Sequence, residues 1–161
     1  MSAMLHRPSD LVLDAKNVKL LRLLREDPRL GIAELARAIG MSAPAVRERL
    51  QRLEEAGIIR GYHIDIDPKA LGYPIAAILR VRPMPGQLSK IAELAQQMPQ
   101  IVECHRITGE DCFLMKLYLE DLDGLDAILD RFLAYGQTTT SLIQSSPVPP
   151  RSLPLPGERS D

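Results

Sequence analysis

The segment IAELARAIGMSAPAVRERLQRLEEAGII, residues 32–59, decides how the rest of the chain is read. Leu35, Ala36 and Ile39 share one helical face, and so do Val46, Leu50 and Leu53 at i, i+4 and i+7. Between the two periodic runs stands Gly40-Met41-Ser42. Gly40 ends a helix by taking the left-handed conformation, and Ser42 is a good N-cap for the next one. Pro44 fits inside the first turn, where its missing N–H has no intrahelical partner in any case. Helices are therefore expected over Ile32–Ile39 and from Ser42 to about Ala56, with Gly57 closing the second.

Two short helices joined by three or four residues, the second opening on serine, have the layout of a helix-turn-helix. Upstream, Asp14 caps a further helix whose apolar positions are Val18, Leu20, Leu21 and Leu24, and Asp27-Pro28 stops it near Glu26. Downstream, IIRGYHIDID alternates and predicts a small β-hairpin or strand, a wing. With Val46, Leu50 and Leu53 turned inward, Ala45, Glu48 and Arg52 point outward and Arg47 and Arg49 lie on the flanks. Ser42, Ala43 and Ala45 are small enough to let the helix end approach a DNA groove. Flanking arginines reach phosphates or the O6/N7 edge of guanine. The candidate DNA-binding set is thus Ser42, Ala43, Ala45, Arg47, Glu48, Arg49 and Arg52. A plainer reading stands beside it, in which Glu48 and Arg52 form an i,i+4 ion pair on a solvated face.

The remainder alternates strands and helices: strand 75–83, helix 86–98, strand 100–107, strand 112–120, helix 122–136 and strand 138–145. That β-α-β-β-α-β order is ferredoxin-like and predicts an antiparallel sheet with both helices on one face. Ala77, Leu79 and Val81 alternate with Ile78, Arg80 and Arg82, read as two faces of apolar character, so a sheet-to-sheet homodimer is expected. The fold class is α+β. The expected domains are a winged helix-turn-helix at 1–61, a linker at 62–74, the ferredoxin-like domain at 75–146 and a Pro-rich tail, extended or disordered, at 147–161.

Composition bounds the function. The 161 residues are 45% hydrophobic and 25% charged with net charge −1, as in a globular protein. No apolar run approaches the roughly 18 residues of a membrane span, and residues 1–10 lack the apolar core of a secretory signal. Residues 1–72 carry 12 Lys+Arg against 10 Asp+Glu, and residues 73–161 carry 8 against 11, so a polyanion is expected on the first half. Aromatic residues are 4% with no Trp, which argues against stacking on single-stranded bases. Cys104 and Cys112 make neither a disulfide framework nor a zinc site and are read as free thiols in a reducing cytoplasm. No metal site, cofactor or catalytic group is expected.

The chain resembles the leucine-responsive regulatory protein/AsnC family of bacterial and archaeal transcription regulators over about residues 11–146. The likeness rests on Leu13-Asp14, the helix-turn-helix, Arg52-Leu53-Glu54-x-x-Gly57-Ile58-Ile59 and Asp67-Pro68…Leu71-Gly72. In the second half it rests on Val102-Glu103, TGEDCFL (108–114) and TTTS (138–141). The resemblance implies double-stranded DNA as one partner and a small amino-acid effector as another, in a homodimer that assembles as far as an octamer. It places the effector at the turn Thr108, Gly109, Glu110 and Asp111 and at Gln137, Thr138 and Thr140 of the last strand. A zwitterion needs a carboxylate for its ammonium, which Asp111 or Glu110 supplies, and N–H donors for its carboxylate, which the Gly109 turn exposes. Many family members carry aspartate where this chain has Cys112. Two other functions are weighed. One is a tetrapyrrole (sirohaem-type) decarboxylase-like enzyme, for which only His6, His63 and His105 offer imidazoles; the other is a nucleoid-associated DNA-packing protein.

Overall fold

The computed structural model describes residues 13–158; the expectations on residues 1–12, including the missing leader core, and on 159–161 of the tail lie outside the described residues. The chain forms two compact units. Among the described residues, one takes 13–64 together with 150–158, and the other takes Asp65–Pro149.

The first unit holds three helices, α1 (Ala15–Glu26), α2 (Ile32–Ile39) and α3 (Ala43–Glu55). Asp14 caps α1, its carboxylate accepting the Asn17 N–H at 2.7 Å. Ahead of α2 the Glu34 carboxylate accepts the Gly31 N–H at 2.9 Å, and Gly40 ends the helix at φ +64. Ser42 precedes α3 as N-cap, without a side-chain hydrogen bond. Leu20, Leu24, Leu35, Ala36, Ile39, Val46, Leu50 and Leu53 form one buried cluster, as the period of each helix requires.

The wing differs from its expectation. No strand forms over residues 58–67. The N–H groups of Ile58 and Ile59 both donate to the Leu53 carbonyl, at 2.9 and 3.0 Å, so they close α3 and are withdrawn from any ladder. Beyond them Tyr62, Ile64 and Ile66 alternate in sequence but stand exposed, Ile64 at 84%. Two strands without a third or a covering layer are marginal in water.

The second unit is a four-stranded antiparallel sheet with two helices. A 3-10 turn (Pro68–Leu71) precedes β1 (Ile75–Pro83), α4 (Leu88–Gln97), β2 (Ile101–Arg106), β3 (Phe113–Leu119), α5 (Asp123–Leu133) and β4 (Gly136–Leu142). The strand order is β2-β3-β1-β4. Ala77, Leu79 and Val81 of β1 and Phe113, Met115, Leu117 and Leu119 of β3 are buried with Ile91, Leu94, Ile128 and Phe132 of the helices. The strand period of two then leaves Ile78, Arg80 and Arg82 with Leu114, Lys116 and Tyr118 on the opposite face. That face is more polar than the alternation suggests, since arginine or lysine takes three of these six places. Where β4 begins, backbone runs against backbone: a Cβ on Gly136 would lie 2.5 Å from the Arg82 carbonyl oxygen.

Candidate functional site

Two surfaces hold the residues expected to act. On α3, Ser42, Ala43, Arg47, Glu48 and Arg52 are exposed, while Ala45 is half-buried and not outward as its angle suggests. Ala43, Pro44, Arg47, Glu48 and Gln51 line a shallow depression of about 310 Å³. Its small N-terminal residues leave room for a groove edge, and the free N–H groups of the first turn carry partial positive charge.

The three arginines have different fates. Arg47 is exposed and enters no ion pair among the described residues. Arg52 pairs with Glu48 one turn before it, as the plainer reading of this face held. Arg49 is not a free flank residue. Its guanidinium turns back to α1 and donates to Asp14 Oδ2 at 2.7 Å and Asn17 Oδ1 at 3.0 Å. Asp14 thus serves twice, as cap and as ion partner. The Asn17 N–H, first, and the Arg49 guanidinium hold its carboxyl below the ordinary aspartate range. The contact joins residues 35 apart and fixes α3 against α1 through polar groups at the rim of the core.

The second surface is the end of the sheet where the β2–β3 turn meets the start of β4. Thr108, Gly109 and Glu110 are exposed and Asp111 is half-buried. Gly109 has φ +106, and Cys112 stands in the left-handed region at φ +57. A side chain at that angle costs about 1–2 kcal/mol, least for Asn and Asp. The acids of the turn already have partners. Arg80 Nη1 lies 3.5 Å from Asp111 Oδ2, and Arg82 pairs with Glu110. Residues that face each other across strands share a face, so Gln137, opposite Arg82, and Thr139, opposite Arg80, stand on the arginine side. Thr138 and Thr140 lie opposite Val81 and Leu79, on the helix-covered side. The last strand therefore does not bring Gln137, Thr138 and Thr140 to one place. Thr140 Oγ1 is in fact buried without a hydrogen-bond partner. Arg80, Arg82 and Thr139 were absent from the expected set. The strand period alone could have put them beside Gln137.

The two described histidines lie in different units. His63 belongs to the first unit and is exposed; His105 lies on β2, exposed, with Nε2 3.4 Å from Glu103 Oε2. Among the described residues no cluster of His, Cys, Asp and Glu could hold a metal ion, and no helix is long and apolar enough to cross a membrane.

A three-helix reading head with an exposed, small-residue N-terminal turn, carried on a βαββαβ module, defines a helix-turn-helix DNA-binding protein with a separate second domain. Known proteins make this specific. The family model for winged helix-turn-helix DNA-binding matches residues 13–60, and that for the Lrp/AsnC ligand binding domain matches residues 76–153. The HTH-type transcriptional regulator LrpC of Bacillus subtilis is 33% identical over 133 residues, which cover 83% of this chain and 92% of LrpC. Its solved structure superposes with a TM-score of 0.79 over 84% of this chain and 97% of that one. A transcriptional regulator from Neisseria meningitidis, solved in complex with L-Met, gives a TM-score of 0.78 at 26% identity, covering 88% and 96% of the two chains. A feast or famine regulatory protein from M. tuberculosis complexed with L-methionine gives 0.80 at 26% identity, covering 88% and 98%. The chain belongs to the Lrp/AsnC family of HTH-type transcriptional regulators.

Proposed function

We propose that this regulator reads duplex DNA with the N-terminal end of α3 and that a small amino acid modulates the binding. The observation that carries the reading is the first turn of α3, where Ser42, Ala43, Pro44 and Arg47 are exposed and Arg47 has no ion-pair partner among the described residues. Ser42, Ala43 and Ala45 admit the groove wall, and Arg47 supplies the charge. Arg52 reaches DNA by exchanging Glu48 for a phosphate. Arg49 acts as a positioning residue, because its guanidinium is committed to α1.

The effector reading rests on the ion pairs at the β2–β3 turn and on the two relatives solved with L-methionine. An α-amino acid carries both charges of an ion pair. Its carboxylate can take Arg80 or Arg82 while its ammonium takes Asp111 or Glu110, so no charge is left unpaired. Gln137 on the same face offers an amide. Thr108 and Gly109 supply the turn, and Thr138 and Thr140 act from beneath the strand as its packing. The protein works as a homodimer or higher assembly in the cytoplasm, and its output is occupancy of DNA and not a chemical reaction.

The test is a thermal-shift screen of the common amino acids, followed by gel shifts on the DNA upstream of the protein's own gene. A ligand that binds only the folded state raises the midpoint by mass action. A hit that also changes the gel shift supports the reading. If no amino acid moves either measurement, the effector class is wrong.

A further inference from the structure

Residues 150–158 return to the reading head. Residues from Pro150 group with the helix-turn-helix unit, not with the sheet from which they issue. This differs from a free tail, and the sequence LPGE (155–158) is the reason. Glu158 N donates to the Leu155 carbonyl at 2.9 Å, with proline at the second place and Gly157 at φ +85 at the third. That is the pattern a type II turn demands. The turn folds the Glu158 carboxylate back to accept the Leu155 N–H at 3.0 Å.

The same carboxylate then meets α1. Arg22 Nε donates to Oε1 at 2.9 Å, and Arg25 grips both oxygens, with Nη1 at 2.8 Å from Oε2 and Nη2 at 2.9 Å from Oε1. Arg22 and Arg25 stand three apart and so share one face of α1. With the Leu155 N–H the carboxylate accepts from donors on every side, near the limit of its lone-pair sites. Single surface ion pairs contribute little, but a bidentate fork inside a network is the exception. Beside it lies a hollow of about 620 Å³ lined by Leu21, Leu24, Pro28, Ile58 and Ile59, by Arg60 and His63, and by Ser152, Leu153 and Leu155 of the tail itself, so that the segment forms part of its wall.

We propose that the Arg22–Arg25 pair, with Leu21, Leu24 and Ile58 beside it, forms a peptide-binding site whose occupant is the chain's own Ser152–Glu158 segment, a latch on the reading head. The required ligand chemistry is a Pro-Gly turn that carries an apolar residue before it and a carboxylate after it. The chain leaves the head at Ile64 and rejoins it at Pro150, so the head is tied to the second unit by two strands of chain while the latch is closed and by one when it opens.

Amide hydrogen exchange of the full chain, read by NMR at Leu155 and Glu158, tests this. Both amides are hydrogen-bonded and exchange at least about tenfold slower than an unstructured chain. Glu158→Gln and Arg25→Ala each remove that protection, and the charge exchange Arg25→Glu with Glu158→Lys restores part of it. Unprotected amides in the natural chain, or protection untouched by Glu158→Gln, overturn the proposal. Protection that falls on dilution would place the segment on another copy and would overturn it equally. Backbone amide shifts of α2 and α3 report whether the head stays folded in each variant.

Discussion

Both candidate surfaces display arginine, but they handle its charge in opposite ways. On α3, Arg47 stands exposed and enters no ion pair among the described residues, and Arg52 pairs only with the neighbour one helical turn away. On β1, Arg80 and Arg82 are each met by an acid from a turn about thirty residues further on, Asp111 and Glu110. The first surface is open to an external polyanion. The second is already neutral, so a ligand enters only by exchanging with what is present. A polyanion such as DNA suits the first arrangement, and a zwitterion suits the second.

The largest expected effect breaks the first half of that contrast. Arg47→Ala should lower DNA affinity about tenfold or more and reduce the slope of log affinity against log salt by about one, leaving the melting temperature unchanged. Titrations at two salt concentrations read both. Unchanged affinity would mean that α3 does not face the duplex.

Arg49→Ala should act on stability. It deletes two hydrogen bonds between charged or polar groups at the rim of the core, at a cost of about 1–2 kcal/mol. The thermal midpoint should fall while the salt slope of DNA binding stays at the natural value. A changed slope with an unchanged midpoint would return Arg49 to the DNA surface.

Acid should weaken the reading head. The carboxylates held below their ordinary range, Asp14, Asp27 and Glu158, all lie in that unit, Glu158 being pulled down to about 2 by Arg25, the Leu155 N–H and Arg22. A depressed pKa stabilises fully above the unfolded value and loses that stability as pH falls through the folded one. The loss should therefore begin below about pH 4.5 and continue towards 2. Amide exchange of α1 followed from pH 6 to 3 reads it, and Glu158→Gln should flatten the low-pH part of the curve.

The smallest effect sharpens the second half. Thr140→Val replaces a buried hydroxyl without a partner by a methyl group of the same shape and should stabilise by up to about 1 kcal/mol. The effector response should persist. If it is lost, the Thr140 hydroxyl meets the ligand, and the helix-covered side of β4 belongs to the site.

What the sequence disclosed follows from the range of the forces involved. Helices α1 to α3 were legible almost to the residue, because Asp14, Gly40 and Gly57 punctuate runs of strict period. The βαββαβ order was legible for the same reason. Gln137 and Thr138 part by strand period alone, a local signal; most other differences involve a partner distant in the chain. Alternation in residues 58–67 gives a period but names no neighbouring strand. Arg49 looked like a flank residue because Asp14 and Asn17 lie 35 and 32 positions away. The ion pairing of Arg80 and Arg82 is not legible in β1 because their acids, Asp111 and Glu110, come from the β2–β3 turn. The tail looked idle because Arg22 is 136 positions from Glu158.

The return of the Ser152–Glu158 segment to α1 bears on how this regulator is handled at the bench. A purification handle or fluorescent protein joined directly after Glu158 would adjoin the helix-turn-helix unit and not the sheet. Such a fusion crowds the part of the molecule whose affinity is being measured, so a cleavable tag is the sound choice for any binding assay.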